Sequence, residues 1–87
     1  MNNIYTISND HKPELELERI EDNGGVVYNS NGPYRVLPGK LSVSRSFGDN
    51  YAKLISLGGK PNIVIAVPEI TKFTLTDKDD FILLGSN

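Results

Sequence analysis

The longest apolar runs of this chain are only four or five residues long, and glycine, proline, asparagine and aspartate clusters separate the runs. The two longest cover residues 63–67 and 81–84. A run of this length that is bounded by turn residues is typical of a buried β-strand. It is far shorter than the ~20 apolar residues that a membrane-spanning helix needs. Short apolar runs separated by turn residues therefore predict a layered α+β fold that is rich in short strands.

Local patterns predict one helix and about six short strands, mainly antiparallel. Residues 14–23 are mostly good helix formers, and Gly24 follows them as a C-terminal stop. Two strand-like segments, residues 26–28 and 34–36, flank a cluster of turn-forming residues and predict a hairpin. Four further strands are expected at residues 4–7, 63–67, 69–76 and 81–84, and residues 41–45 alternate with a period of two.

Composition excludes several classes of function. The 87 residues carry a formal net charge of −2 and include no cysteine. Because there is no basic excess, nothing favours binding to nucleic acid or to an anionic membrane. Without cysteine, neither a disulfide framework nor a thiolate zinc site can form. The first five residues lack the basic and apolar regions of a signal peptide, so we expect an intracellular protein of the cytoplasm or nucleus.

The sequence stops directly after the apolar run at residues 81–84. A natural domain rarely ends against a buried strand, so we expect these residues to belong to a larger domain. The strand edges and apolar faces that such a domain would cover are then open to pairing with another chain. We therefore expect the isolated chain to associate with itself.

Seven short motifs cover nearly the whole chain in a defined order. They are Asp10-His11-Lys12-Pro13, Glu18-Arg19-Ile20, Gly24-Gly25-Val26, Arg35-Val36, the segment from Leu41 to Asp49, Pro68-Glu69-Ile70, and the segment from Asp79 to Ser86. In this order and at this spacing they resemble the central block of the type 2C metal-dependent serine/threonine protein phosphatases, the PPM family. Any one motif would be a weak signal, whereas the ordered set is specific.

The resemblance implies a fold and a reaction. The family fold is a four-layer β-sandwich flanked by helices. Residues 1–87 would form a central part of it, and residues 24–50 would form the flap beside the substrate groove. The family enzymes remove phosphate from phosphoserine and phosphothreonine in proteins by attack of a water that Mg²⁺ or Mn²⁺ ions activate. Oxygen ligands suit both cations.

Most of the family's catalytic motifs do not occur in this sequence, so we expect the 87 residues alone to bind no metal and to be inactive. Asn87 stands where the family has a metal-binding aspartate. An amide oxygen can coordinate a cation but carries no charge to balance it. If Asn87 is native, a non-catalytic, pseudophosphatase-type protein-binding module is the alternative. A chain-end artefact explains Asn87 equally well, and an unrelated α+β domain that matches by chance is a remote third interpretation.

Four further residues are candidates for lining or supporting the groove: Asp10, His11, Arg45 and Asp49. The single histidine, His11, could act as an acid or base near neutral pH. A structural histidine hydrogen-bonded at the start of the helix is the favoured interpretation. The planar fork of Arg45 suits a phosphate or a carboxylate. An ion pair beneath the flap is favoured, with Asp49 as one possible partner, although Asp49 itself is more typical of a turn.

Overall fold

The computed structural model describes residues 4–86. Its helices and strands are short and lie between residues 13 and 57. In chain order they are a 3₁₀ turn at Pro13–Glu16, helix α1 at Leu17–Asp22, strand β1 at Val26–Asn29, strand β2 at Tyr34–Leu37, helix α2 at Asn50–Lys53 and a second 3₁₀ turn at Ile55–Leu57.

The predicted helix forms as the first 3₁₀ turn followed by α1. Pro13 occupies the first turn, where its missing N–H costs no intrahelical hydrogen bond. The helix ends at Asp22, and Gly24, two residues beyond, adopts a φ of 84° that a residue with a side chain rarely adopts. The next amide, Gly25 N–H, donates to the carbonyl oxygen of Ile20 at 2.8 Å and so satisfies the helix end.

The predicted hairpin is present. Strands β1 and β2 pair antiparallel, with Val26 opposite Leu37 and Asn29 opposite Tyr34. The chain turns between them at residues 30–33, where the Asn31 N–H donates to Asn29 Oδ1 at 3.0 Å. This hairpin follows α1 directly and leads to a further backbone contact, from Val36 N–H to the Leu41 carbonyl oxygen at 2.9 Å.

The core lies where α1, β2 and α2 meet residues 63–64. Its fully buried apolar side chains are Ile20, Val36, Ala52, Ile63 and Val64. Val27 and Leu41 pack against this cluster from the hairpin side. Burying these side chains removes apolar surface from water, which holds the short elements together although each is too short to be stable alone.

The α+β class is confirmed, but the expected six strands and the sandwich layers are not formed in residues 4–86. The described part of the chain contains one sheet of two strands, β1 and β2. Residues 63–67 contribute a single parallel bridge, between Arg45 and Ile65. The segments expected as strands at 4–7, 69–76 and 81–84 have no regular secondary structure. Their backbone groups lack a neighbouring strand, and a strand is stable only when such a partner pairs with it.

Helix α2 was not predicted, because its four residues show no helical periodicity. The charged turn expected after residue 75 is formed, with Asp79 N–H donating to the Thr76 carbonyl oxygen at 3.1 Å. The apolar residues on both sides of this turn are exposed: Ile70 is 71% exposed, Phe81 81% and Leu84 87%. None of the helices among the described residues has the length and apolarity needed to cross a membrane.

Candidate functional site

The densest polar contact of the described residues is centred on the carboxylate of Glu16. We call Glu16, Arg19, Ser44 and Arg45 the Glu16 cluster. Arg45 Nε lies 2.7 Å from Glu16 Oε1. The other carboxylate oxygen, Oε2, accepts hydrogen bonds of 2.5 Å from Arg19 Nη2 and from the Ser44 hydroxyl. The Glu16 side chain is only 12% exposed, so these contacts form largely out of water.

Two different parts of the chain build this cluster. Glu16 and Arg19 are three residues apart at the start of the helix, a spacing that places two side chains on one face. Ser44 and Arg45 arrive from the segment after the hairpin. Ser44 N–H donates to the His11 carbonyl oxygen at 2.8 Å. Ser44 itself is fully buried.

Both arginines of the Glu16 cluster also bind the backbone of residues 62–67. Arg19 Nη1 donates to the carbonyl oxygens of Asn62 and Ile63 at 2.6 and 2.7 Å. Arg45 Nη1 donates to the carbonyl oxygen of Val67 at 3.0 Å. A planar guanidinium suits this role, because its five N–H groups can reach a carboxylate and a carbonyl at once. The cluster therefore joins the helix start, residues 44–45 and residues 62–67.

The electrostatics of Glu16 favour its charged form. Burial raises the pKa of this carboxyl, but hydrogen bonds from Arg45, Ser44 and Arg19 outweigh burial and lower the pKa to about 2. The group is therefore an anion at neutral pH and has no proton to give. The negative charge of Glu16 is paired with the guanidinium groups of Arg19 and Arg45. The cluster is therefore suited to holding segments of the chain together and not to acid–base chemistry.

His11 lies beside the Glu16 cluster, because its backbone carbonyl oxygen contacts Ser44. The His11 Nε2 atom is 3.9 Å from Glu69 Oε2, too far for a hydrogen bond. Asn9 Nδ2 reaches the other oxygen of Glu69 at 3.3 Å. The His11 backbone carbonyl oxygen accepts hydrogen bonds from the Ser44 N–H at 2.8 Å and from the Ser44 hydroxyl at 3.1 Å, and a structural role for the His11 ring stays a prediction. Asp10 is exposed.

Arg45 forms an ion pair, but its partner is Glu16 and not Asp49. Within residues 4–86, Asp49 takes part in no ion pair, so the pairing suggested for it is wrong. Asp49 instead precedes α2 with a left-handed φ of 50°. Its carbonyl oxygen accepts a hydrogen bond from Ala52 N–H at 2.9 Å, as expected of a turn residue.

Sequence reasoning missed Glu16. The Glu18-Arg19-Ile20 motif drew attention to the wrong carboxylate, because Glu18 is exposed. The spacing from Glu16 to Arg19 could have pointed to that pair. The contact with Arg45 spans 29 residues, and no local pattern predicts it.

An open depression of about 370 Å³ lies at the base of the hairpin. Its walls combine backbone and apolar side chains with one ammonium and one phenol: Leu37, Pro38, Gly39, Lys40, Tyr51, Leu57 and Gly58. It contains no carboxylate or imidazole among these residues.

The described residues do not fit a metal centre. Between residues 4 and 86, no three His, Cys, Asp or Glu side chains come close enough to hold one ion. Mg²⁺ and Mn²⁺ need several oxygen ligands around them, and dispersed carboxylates cannot supply them. Asn87, the candidate ligand from the sequence, lies outside the described residues.

Comparison with known proteins gives the family. The family model for protein phosphatase 2C matches residues 1–87. "Probable protein phosphatase 2C 8" of Oryza sativa subsp. japonica is 48% identical over an alignment of 83 residues, which covers 93% of this chain and 18% of that protein. "Probable protein phosphatase 2C 78" of Arabidopsis thaliana is 43% identical over an alignment of 83 residues, which again covers 93% of this chain and 18% of the relative.

A third relative extends the match. "Probable protein phosphatase 2C 71" of Arabidopsis thaliana is 40% identical over an alignment of 87 residues, which covers 98% of this chain and 17% of that protein. The chain thus spans less than a fifth of the length of these three relatives. No solved structure matches the chain significantly. With its whole length matched by one family model, this chain belongs to the protein phosphatase 2C family.

Proposed function

We propose that this chain forms a central, flap-bearing part of a metal-dependent protein serine/threonine phosphatase. The match to the family over all 87 residues carries the proposal. Because the chain spans 18% of its rice relative, catalysis would belong to a longer protein. In that protein residues 1–87 would be one part of the phosphatase domain, and residues 24–50 would be its flap. An intracellular location, in the cytoplasm or nucleus, is part of this proposal.

Contacts at both ends of the flap support this role. At its start, Gly25 N–H bonds to Ile20, and Lys60 Nζ donates to the Gly24 carbonyl oxygen at 3.0 Å. Near its end, Ser44 and Arg45 are held by Glu16. A loop fixed at both ends can border a groove with a defined shape while its tip stays free to adjust to a substrate.

The exposed C-terminal segment supports the proposed sandwich. Phe81, Leu83 and Leu84 are each more than 80% exposed. Apolar side chains in a run of this kind are normally covered by another layer of the same domain. We propose that residues 69–84 complete strands of the four-layer β-sandwich when the remaining part of the domain is present.

Two divalent cations, Mg²⁺ or Mn²⁺, would supply a reactive water for hydrolysis of phosphoserine and phosphothreonine in proteins. Residues 4–86 offer no ligand cluster, so most ligands would come from other parts of the longer protein. We therefore assign no catalytic step to the described residues. Their part is to fix the flap and to supply a section of the scaffold.

A chimaera tests the proposal. The aligned segment of the Arabidopsis relative named "Probable protein phosphatase 2C 71" would be replaced by this chain. Turnover of an aryl phosphate and of a phosphoserine peptide would then be measured with Mn²⁺. We expect the chimaera to keep the activity of the parent relative, assayed in parallel, and the isolated 87 residues to have none. Robust turnover by the isolated chain, or a folded chimaera that stays inactive with aspartate at position 87, would contradict the proposal.

Asn87 supports a second candidate, a pseudophosphatase-type module that binds proteins without hydrolysis. The same chimaera separates the two candidates when it is made with Asn87 and with Asn87→Asp. If only the aspartate form hydrolyses phosphate while both forms fold, the binding module is favoured. If the Asn87 and Asn87→Asp chimaeras are equally active, Asn87 gives no reason to propose a non-catalytic binding module.

A further inference from the structure

The chain contains two Asn-Gly pairs, Asn23-Gly24 and Asn31-Gly32, and all four residues are exposed. Asparagine before glycine is chemically labile, because the backbone nitrogen of the next residue can attack the side-chain amide. Glycine has no side chain to hinder that attack and gives the backbone the freedom it needs. Sequence and exposure alone would therefore give the two pairs the same reactivity.

The structure protects the first pair. Asn23 Nδ2 donates to the Arg19 carbonyl oxygen at 2.8 Å, which fixes the side-chain amide at the end of α1. Gly24 N–H, the group that must attack, donates to the Glu21 carbonyl oxygen at 3.0 Å. Both reacting groups are thus held in hydrogen bonds that must break before they can meet.

The second pair has neither restraint. Asn31 lies at the tip of the β1–β2 hairpin with a left-handed φ of 63°. Within residues 4–86, the structure shows no hydrogen-bond partner for its side-chain amide or for Gly32 N–H. The space around Gly32 is also open, since a Cβ built there would meet nothing within 4 Å.

We propose that Asn31 is a site of spontaneous deamidation at the tip of the flap hairpin. The Gly32 nitrogen forms a bond to Asn31 Cγ and loses its proton. The Cγ–Nδ2 bond breaks, and Nδ2 leaves as ammonia with that proton. The cyclic imide then takes up one water at either carbonyl, giving aspartate or isoaspartate with no net oxidation or reduction.

The product changes the hairpin in two ways. Either form adds a negative charge at the tip. Isoaspartate also adds a methylene to the backbone, beside the pair in which Asn29 faces Tyr34. That insertion lies between Ser30 and Pro33, and so alters the spacing on which the bond from the Ser30 hydroxyl to the Pro33 carbonyl oxygen, 2.7 Å long, depends. Aged molecules would therefore carry a more negative and less ordered hairpin tip.

Peptide mapping by mass spectrometry tests the proposal. The 87-residue chain is incubated in mildly alkaline buffer, and isoaspartate is detected by enzymatic methylation. In native buffer we expect Asn31 to convert at least about tenfold faster than Asn23, equivalent to about 1.4 kcal/mol in barrier height. In concentrated urea the two rates should converge, because both asparagines then precede an unrestrained glycine.

Gly32→Ala provides the matched variant. Open space around Gly32 and the absence of a positive φ there allow the substitution without a clash. We expect it to slow conversion of Asn31 in both buffer and urea and to leave Asn23 unchanged. Equal rates at the two asparagines in native buffer, faster conversion of Asn23, or an unchanged rate in Gly32→Ala would each overturn the proposal.

Discussion

At the scale of single residues, Glu16 has the strongest set of contacts in the described chain. Its carboxylate is mostly buried, yet two guanidinium groups and a hydroxyl surround it. A buried charge is stable only while its partners remain, and removal of one member leaves the others unpaired away from water. Stability is therefore expected to be sensitive to Glu16 and insensitive to its exposed neighbour Glu18.

Replacing Glu16 by glutamine tests this expectation. Glu16→Gln keeps the shape of the side chain but removes the charge that both arginines face, so we expect a loss of about 1–3 kcal/mol in the free energy of unfolding. Urea denaturation measures it. Glu18→Gln is the control, with an expected change within about 0.5 kcal/mol. Equal effects of the two substitutions would mean that the Glu16 cluster contributes no stability.

The lowered pKa of Glu16 also predicts how stability depends on pH. The pKa falls from 4.5 to about 2 on folding, so the unfolded chain takes up the proton first as pH decreases. The contribution is complete above pH 4.5 and is lost as pH falls toward 2. This contribution to the free energy of unfolding is at most about 3–4 kcal/mol, since each unit of pKa difference corresponds to about 1.36 kcal/mol.

Unfolding free energies measured from neutral pH down to about pH 2 would check this slope. Glu16→Gln should flatten that part of the profile. If the free energy of unfolding of Glu16→Gln fell with pH as steeply as that of the unsubstituted chain, carboxylates other than Glu16 would be responsible for the loss of stability in acid.

At the scale of elements, Gly59 governs how the second 3₁₀ turn packs on α2. A Cβ at position 59 would lie 2.5 Å from the carbonyl carbon of Ala52 and 2.6 Å from the nitrogen of Lys53. These are backbone atoms and cannot rotate away as a side chain could. Only glycine at position 59 therefore allows the backbone of residue 59 to lie this close to the backbone of Ala52 and Lys53.

Gly59→Ala should therefore force the 3₁₀ turn away from α2 and cost about 1–3 kcal/mol, in the range of overpacked sites. Thermal unfolding followed by circular dichroism would measure the loss. Gly32→Ala, at a site with open space, is the matched control. A Gly59→Ala chain as stable as the control would show that α2 and the turn are not packed as described.

Local patterns predicted the elements whose stabilising contacts are local. The stop at Gly24 and the turn between β1 and β2 depend on residues within a few positions of each other. Helix α2 was missed because four residues are too few to show helical periodicity, and the burial of Ala52 in the core depends on residues outside the helix. The strand expected at residues 69–76 is not formed although its alternating pattern is typical of a strand. A strand needs a neighbouring strand to pair with, and none lies beside these residues in the described part of the chain.

At the scale of the whole molecule, the exposed apolar segment near the C-terminus makes self-association the expected behaviour of the isolated chain. In sedimentation velocity we expect dimers or larger species. Phe81→Asp and Leu83→Asp should shift the distribution toward monomer, because a charge on each apolar side chain opposes burial in an interface. Leu15→Asp, at a site that is 68% exposed in another region, is the control. A monodisperse monomer of the unsubstituted chain would contradict this prediction.

The sequence by itself determined the family, the hairpin, the helix with its stop, and the α+β class. Each of these depends on residue order or on contacts between near neighbours. Only the tertiary structure decided that Arg45 pairs with Glu16, that Asn23 and Asn31 differ in protection, and that the later apolar segments remain uncovered. These features depend on contacts between residues that are distant in the sequence. Such contacts set the burial, the hydrogen bonding and the protonation state of a side chain, and no local pattern contains them.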